Sequence, residues 1–154
     1  MDLTSILRTE AVRTLSGTGS KKRLFHELGD IAELVHGVSA GDVAAALQER
    51  ESLGPTGVGK GIALPHARME GLSGVIGIFV RLEKPLDFEA VDRQPVDLIF
   101  ALLAPQDAGV EHLKALALVS RTMRDAALCA KLRANTDSNT LHTMLTEAPR
   151  SEAA

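Results

Sequence analysis

The chain has 154 residues, enough for one domain, and its 45% hydrophobic and 24% charged residues are typical of a globular protein. That composition excludes long disorder and collagen-like repeats, and the 3% of aromatic residues predicts an aliphatic core with few platforms for stacking nucleic-acid bases. The net charge of −3 argues against binding to phosphate backbones or anionic lipid, and the single cysteine, Cys129, excludes an intrachain disulfide.

The first third of the chain predicts two helices after a short strand. Residues 11–16 form a short segment of mixed polar and apolar residues, which is typical of an edge strand. Ser20 is a suitable N-cap for a helix whose apolar residues recur at helical spacing, and Gly37 is placed to end it. Ser39 predicts a second N-cap, for a helix from about residue 40 to about residue 52.

A glycine-rich segment at residues 54–61 follows the second helix and is predicted to be a loop. Its first seven residues fit a nucleotide-binding P-loop, but Gly61 occupies the position where that motif has a Ser or Thr for Mg²⁺. The segment also leaves a helix rather than a strand, so we reject the P-loop. Its glycines either allow a flexible connection or expose backbone N–H groups beside an anion site. A short strand at residues 62–64 should follow and end at Pro65.

Two apolar runs at residues 74–82 and 95–103 predict central strands that are buried on both faces. Pro85 and Pro105 are expected to close them. Only twelve residues join the two runs, which is short for a helical crossover. The sheet should therefore be mixed rather than all parallel.

The last third of the chain is predicted to be helical. A first helix starts at about Ala108 with Leu113 on its buried face, and a second covers residues 125–133 with Cys129 in the core. A third helix is capped near Asp137. The predicted fold class is therefore α/β, a single domain with a mixed β-sheet flanked by helices.

The five histidines differ in the positions that the predicted elements give them. His26 lies on the polar side of a helix, His36 in a last turn where imidazolium suits the dipole, and His142 on a polar helix face. Solvation or capping accounts for these three. No histidine pair has the spacing of a helical metal site, so no metal is expected.

His66 directly follows the predicted strand and the glycine-rich segment. This order places an imidazole at the mouth of a sheet, where loops carry chemistry on a rigid base. Neutral imidazole is a nucleophile at pH 7, since its ordinary pKa is about 6.5. The alternative is an exposed loop histidine without a function.

His112 is predicted at the start of a helix, where the positive end of the helix dipole disfavours imidazolium. A neutral ring there can donate an N–H to an anion, beside free backbone N–H groups. The alternative is a partly buried polar residue near a cap. A zinc site built on His66 and His112 is a third interpretation, but it lacks further good ligand candidates.

The segment from Glu51 to Ala67 resembles the phosphorylation-site signature of the fructose/mannitol-type enzyme IIA family (EIIA type-2) of bacterial phosphoenolpyruvate-dependent phosphotransferase systems. That signature opens with an acidic or amide residue, met by Glu51, and after six residues it has an aliphatic and a small one, Val58 and Gly59. It closes with IALPHA, the run from Ile62 to Ala67. Every constrained position of the signature fits this sequence.

The resemblance extends over most of the chain from about residue 20 to about residue 145. It is strongest to the nitrogen-regulatory branch of the family, with Ala67 and Lys60 standing where other residues are common. It implies the mannitol/fructose-type enzyme IIA fold, one domain over residues 1–154 and a core at about 5–148. The further segments that carry it are Phe79-Val80-Arg81-Leu82, Pro85-Leu86-Asp87-Phe88, Pro95-Val96-Asp97-Leu98-Ile99-Phe100 and His112-Leu113.

By this resemblance His66 is the phosphorylated residue, and His112 and Arg50 complete the active site. The implied phosphoryl donor is an HPr-like phosphocarrier protein. Arg50 would supply a fixed positive fork and His112 an N–H donor, which suits a reaction that mainly needs alignment and stabilisation of negative charge. Without the resemblance, Arg50 is explained as a solvated residue at a helix end. No nucleotide, other cofactor or metal is implied.

Three functions remain open. The first is a nitrogen- and potassium-regulatory phosphocarrier that controls partners such as potassium-transport or sensor-kinase proteins, and the second is a sugar-transport enzyme IIA that serves a fructose- or mannitol-type IIB domain. The third, a non-catalytic binding module, is disfavoured by the intact His66, His112 and Arg50. We predict the first. Its expected place is the cytoplasm, without nucleic-acid binding or membrane insertion, because no signal peptide or long apolar run is visible.

Overall fold

A computed structural model describes residues 1–147, and within them it contains five α-helices and one six-stranded sheet. Two short 3₁₀ turns, Leu3–Ser5 and Thr9–Ala11, precede the first strand. The helices are α1 (Lys21–His36), α2 (Ala40–Ser52), α3 (Gly109–Met123), α4 (Ala126–Arg133) and α5 (Ser138–Thr146). The strands are β1 (Val12–Leu15), β2 (Gly57–Gly59), β3 (Ile62–Ala63), β4 (His66–Met69), β5 (Ile76–Leu86) and β6 (Val96–Pro105).

Capping residues set the boundaries of the first two helices. The Ser20 hydroxyl accepts a hydrogen bond from the backbone N–H of Arg23 at 3.1 Å, which begins α1. Gly37, at φ +74°, ends that helix in the left-handed conformation that glycine adopts without strain. Ser39 caps α2 in the same way, accepting from Asp42 N–H at 3.2 Å. Both predicted helices are confirmed.

The sheet is mixed, and its strand order is β1-β5-β6-β3-β2, with β4 also paired to β6. β5 and β6 are antiparallel, whereas β1 runs parallel to β5, and β3 and β4 run parallel to β6. β6 is buried along almost its whole length, as expected for a strand covered on both faces. Helix α3 packs on β6, α5 on β1 and α2 on β4. The predicted α/β class with a mixed sheet flanked by helices is confirmed.

Pro65 does not end the extended segment that precedes it, contrary to the prediction. β3 and β4 are two parts of one segment, because both pair with β6 in a single register, Ile62 with Leu98 and His66 with Leu102. The Pro65 carbonyl accepts a hydrogen bond from the Leu102 N–H at 2.9 Å. Proline has no backbone N–H to donate but keeps its carbonyl, and the pairing with β6 uses only that carbonyl at this position. His66 therefore begins a strand and does not lie in a loop.

The glycine-rich segment is partly a β-hairpin and not only a loop. β2 lies within it and pairs antiparallel with β3. A Cβ atom on Gly57 would lie 2.9 Å from the Cβ of Ala90, so the chain here approaches the connection between β5 and β6 very closely. Close packing, rather than flexibility, accounts for this glycine.

β5 continues past the point where Pro85 was predicted to close it. Its pairing with β6 is irregular between Arg81 and Leu86, and a proline is tolerated where no ladder hydrogen bond is needed. Pro105, by contrast, is the last residue of β6, which agrees with the prediction.

The core is mainly aliphatic, but it also encloses four fully buried phenylalanines, Phe25, Phe79, Phe88 and Phe100. Cys129 lies in this core, as predicted, and its Sγ is 3.3 Å from the Met123 carbonyl. Leu113 was predicted to be buried, but 62% of it is exposed, because α3 turns the face containing Ala115 and Val119 inward. None of the helices within residues 1–147 is long and apolar enough to span a bilayer.

Candidate functional site

The imidazole of His66 lies at the start of β4, and one hydrogen bond determines which of its nitrogens is free. Its Nδ1 is 2.8 Å from the carbonyl oxygen of Leu64. A carbonyl can only accept, so Nδ1 carries the proton and donates it. Nε2 is then unprotonated, and its lone pair is available to an electrophile. The side chain is half-buried.

His112 lies in the first turn of α3 and faces His66. The two ring centroids are 5.7 Å apart and the ring planes are inclined by 50°. His112 is only 5% exposed, and its Nδ1 has no hydrogen-bond partner among residues 1–147. Packing rather than hydrogen bonding therefore holds this ring beside the first. The structure brings together the two histidines that the sequence analysis selected.

Both rings are neutral at pH 7. Burial lowers the pKa of His66, the Arg50 guanidinium lowers it further, and the hydrogen bond to Leu64 opposes both effects. Burial also lowers the pKa of His112, and the neighbouring His66, whose own protonation would compete, and the Arg68 guanidinium lower it further. A neutral His66 keeps its nucleophilic lone pair, and a neutral His112 can still donate one N–H.

Arg50 lies in the last turn of α2, beside the segment that leads to β2. Its Nη1 donates a hydrogen bond to the Gly54 carbonyl at 3.0 Å, and its side chain is half-buried. No direct bond joins it to His66, but its charge acts on that ring. One bond to Gly54 leaves the guanidinium with four further N–H donors for an anion between the two residues.

Two charged residues near the site were given no role from the sequence, although Glu51 opens the signature. Glu51 is buried beside Arg50, and its charge also acts on His66, in the direction that raises the pKa. Arg68 lies two residues after His66, on the same face of β4, and its charge acts on His112. Arg68 could have been found by strand periodicity if β4 had been predicted as a strand.

The other three histidines lie away from this pair and have structural explanations. His26 is exposed. His36 was predicted to favour the charged form at a helix end, but burial lowers its pKa, and Arg8 lowers it further. The Nε2 of His142 is 2.9 Å from the Leu7 carbonyl and joins α5 to the N-terminal segment. Within residues 1–147, no three His, Cys, Asp or Glu side chains are grouped as metal ligands would be.

Comparison with known proteins identifies the family to which the chain is similar. The family model described as "Phosphoenolpyruvate-dependent sugar phosphotransferase system, EIIA 2" matches residues 5–148. A curated relative from Bradyrhizobium diazoefficiens, named nitrogen regulatory protein, is 41% identical over 153 residues, covering 99% of this chain and 100% of its own.

Solved structures of similar fold include a nitrogen regulatory protein and a mannitol enzyme IIA. The nitrogen regulatory protein IIA-Ntr from Neisseria meningitidis superposes with a TM-score of 0.84 and 37% identity, covering 92% of this chain and 97% of its own. IIA mannitol from Escherichia coli superposes with a TM-score of 0.73 over 90% of this chain and 97% of its own. At 20% identity, that second likeness shows the fold alone.

Proposed function

This chain belongs to the phosphoenolpyruvate-dependent sugar phosphotransferase system EIIA 2 family, and from that premise we propose that it is a phosphocarrier that accepts phosphate on His66. The observation that supports this most directly is the hydrogen bond of 2.8 Å between His66 Nδ1 and the Leu64 carbonyl. It leaves Nε2 as the nucleophile in a ring that is neutral at pH 7. We also propose one domain over residues 1–154, with its core at about 5–148.

The proposed reaction moves a phosphoryl group from a histidine of an HPr-like protein. The Nε2 lone pair of His66 forms a bond to phosphorus while the bond from phosphorus to the donor's nitrogen breaks, and that electron pair returns to the donor ring. Positive charge develops on the His66 ring as the new bond forms. The Leu64 carbonyl already accepts the Nδ1 proton, so it stabilises that charge. One N–P bond replaces another, and the step requires no nucleotide or metal.

Arg50 and His112 are proposed to stabilise the phosphoryl oxygens during transfer. Arg50 offers a fixed charge with several donors, and His112 offers a neutral N–H on the opposite element. Both are prearranged, because Arg50 is tied to Gly54 and His112 is almost fully buried. Neither is a nucleophile in this scheme, because the Arg50 guanidinium stays protonated and, of the two facing rings, it is His66 whose Nε2 is left unprotonated by the bond from Nδ1 to a carbonyl.

The proposed physiological role is nitrogen and potassium regulation in the cytoplasm. Two similar proteins, from Bradyrhizobium diazoefficiens and Neisseria meningitidis, are named nitrogen regulatory proteins. The regulated partners we propose are potassium-transport or sensor-kinase proteins. Four exposed apolar residues stand close in sequence to the proposed site and offer a partner contact area: Leu53, Val58, Val110 and Leu113.

A second candidate function is a sugar-transport enzyme IIA that passes phosphate to a fructose- or mannitol-type IIB domain. The description of the matched family, which names a sugar phosphotransferase system, favours it. Both functions use the same chemistry at His66, so they differ only in the acceptor protein.

Labelling with phosphate tests the shared chemistry. Incubation with phosphoenolpyruvate, enzyme I and an HPr-like protein should add one acid-labile phosphate to each chain, and His66→Ala should abolish it. His26→Ala is the matched control, because His26 is exposed and distant from the site, and it should label like the wild type. Labelling that persists in His66→Ala would overturn the assignment.

A further inference from the structure

We propose that Glu51 is a positioning residue for His66, an inference that rests on the proposed phosphocarrier function. Through Thr56 and Leu64, the Glu51 carboxylate holds the ring of His66 in the tautomer whose Nε2 is unprotonated. Glu51 itself does not touch the ring or the phosphoryl group in this scheme.

The surroundings of Glu51 show that its charge serves something other than its own helix. It lies in the last turn of α2, where the helix dipole disfavours a negative charge. Its side chain is only 3% exposed, and a buried charge is costly unless it is paired and hydrogen-bonded. Within the described part of the chain, the hydrogen-bond partners of its carboxylate lie outside α2, on Thr56 and Lys21. The carboxylate is therefore an anchor for other segments.

Three donors converge on this carboxylate. The Thr56 backbone N–H donates to Oε2 at 3.0 Å, and the Thr56 hydroxyl donates to Oε1 at 2.6 Å. The Lys21 ammonium donates to Oε2 at 2.9 Å and neutralises the charge. Thr56 is thus held by both its main chain and its side chain, and it is itself only 5% exposed. Glu51 therefore holds Thr56 in place through two hydrogen bonds.

Two further hydrogen bonds connect Thr56 to His66. The Thr56 carbonyl accepts from the Leu64 N–H at 3.0 Å, and the Leu64 carbonyl accepts from His66 Nδ1 at 2.8 Å. Both polar groups of Leu64 point to this side of the strand, while the next residue, Pro65, bonds to Leu102 of β6. Leu64 is therefore clamped between Thr56 and the sheet. A displacement of Thr56 would move the acceptor that determines the His66 tautomer.

A merely structural role for Glu51 makes a different prediction. In that case its removal would lower the free energy of unfolding, but the folded molecules would keep the wild-type tautomer of His66. The positioning role requires the tautomer to change in folded molecules, and kcat with it. The tautomer is read from the ¹⁵N chemical shifts of Nδ1 and Nε2, which need no phosphorylation.

Glu51→Gln is the main variant, because it keeps the shape and one acceptor oxygen but replaces the other with a donor group. It should raise the population with the proton on Nε2 and slow phosphate acceptance from the HPr-like donor about ten- to hundredfold in kcat. KM for the donor should stay within about twofold, since positioning of the nucleophile acts on the chemical step. Thr56→Val keeps the backbone bond to Glu51 and should change both quantities in the same direction, but less.

Glu89→Gln is the matched control. Glu89 is the second carboxylate bound to Lys21, at 3.2 Å, and its side chain is 74% exposed. This variant removes the same unit of charge beside the same lysine and leaves the bonds from Glu51 to His66 intact, so the tautomer and kcat should not change.

The outcomes separate the two proposals. Wild-type protein that takes no phosphate on His66 would overturn the proposed function. Wild-type protein that labels normally, with Glu51→Gln and Thr56→Val both showing the wild-type tautomer and kcat, would overturn the positioning role. If Glu51→Gln fails to fold by circular dichroism, Thr56→Val decides the same question.

Discussion

At the scale of single residues, the proposed reactivity of His66 depends on a carbonyl acceptor and on a poorly hydrated ring. The Leu64 carbonyl selects the tautomer, and burial keeps the ring neutral. Arg50 adds positive charge nearby without forming a direct bond to the ring. That arrangement keeps the charge free for a group bound to Nε2. The same residues therefore activate the nucleophile and prepare the site for the product.

Arg50→Ala and His112→Ala should slow phosphate acceptance without abolishing it. Loss of one positioned charge or donor costs about 2–4 kcal/mol of transition-state stabilisation, which corresponds to roughly 10²–10³ in rate. Rapid-quench labelling by the HPr-like donor measures the rate, and long incubation measures the final occupancy, which should remain appreciable. Arg50→Lys keeps the charge but loses the planar fork, so it should fall between wild type and alanine. Near-wild-type rates in both alanine variants would remove these residues from the site.

The free energy of unfolding should fall as the pH drops below about 6.5. Burial lowers the pKa of His36, His66 and His112 in the folded state, so below pH 6.5 the unfolded chain binds more protons than the folded one. The contribution of these three rings is then lost progressively as the pH falls from 6.5 toward their folded pKa values, and it does not change above that range. The lowered pKa values of Asp92 and Asp137 act only below their ordinary value of 3.8.

Urea denaturation at pH 7.5 and pH 5.5 measures this difference. His66→Gln removes one of the three contributing rings, so the difference between the two pH values should be smaller in that variant than in the wild type. If the wild type were equally or more stable at pH 5.5, the prediction that folding lowers the pKa of these three rings would be wrong.

At the scale of elements, the sequence predicts helices better than strands for a physical reason. Caps such as Ser20, Ser39 and Asp137 are local signals, and each accepts the expected backbone hydrogen bond. Strand boundaries depend on partners distant in sequence. Pro65 and Pro85 were both interpreted as strand ends, but the register with β6 determines whether a donor is needed at those positions.

In the candidate site, too, some residues could be predicted from the sequence and others could not. His66 lies in a contiguous signature, whereas Arg50 was assigned by family resemblance, and His112 was selected by its place at a helix start and then by the resemblance. The route from Glu51 through Thr56 and Leu64 was not predicted, because Thr56 and Leu64 act through main-chain groups that any residue possesses. Leu113 was misplaced because an apolar residue beside an exposed site need not face the core.

The contact between α1 and α2 leads to a prediction about one glycine. A Cβ atom on Gly29 would collide with the backbone carbonyl of Ala40, at the start of α2. Gly29→Ala should therefore destabilise the protein by about 1–3 kcal/mol, although alanine favours the helix more than glycine does. The free energy of unfolding in urea measures the effect.

Gly41→Ala is the matched control for that variant. Gly41 is also helical, in α2, and a Cβ atom there would meet nothing closer than 3.9 Å, the Ser39 hydroxyl. Its replacement should be neutral or stabilising, by up to about 1 kcal/mol. If Gly29→Ala also proved neutral or stabilising, α1 and α2 would have to separate at no cost.

At the scale of the whole molecule, the sheet explains why distant residues meet. His66 begins β4, and Arg50 lies in the last turn of α2, which packs on that strand, so the two lie together. β4 runs parallel to β6, and α3 follows β6 and packs back on it, which returns His112 to the same place. One order of elements thus brings three separate positions to one edge of the sheet. No local pattern in the sequence contains that convergence.

We predict that the protein is a regulator rather than a sugar carrier, in line with the names of two similar proteins. A phosphoryl group on His66 would add about −1.5 to −2 charges at one place. A partner that docks through apolar residues such as Leu53 and Leu113 would then have to bury that charge, so its binding should depend on phosphorylation. Binding of the potassium-transport and sensor-kinase proteins should differ between phosphorylated wild type and His66→Ala, and isothermal titration measures this binding.

Sugar phosphorylation through fructose- and mannitol-type IIB domains should stay at background. Efficient transfer to either IIB domain, with growth on that sugar lost when the gene is deleted, would leave the carrier function instead.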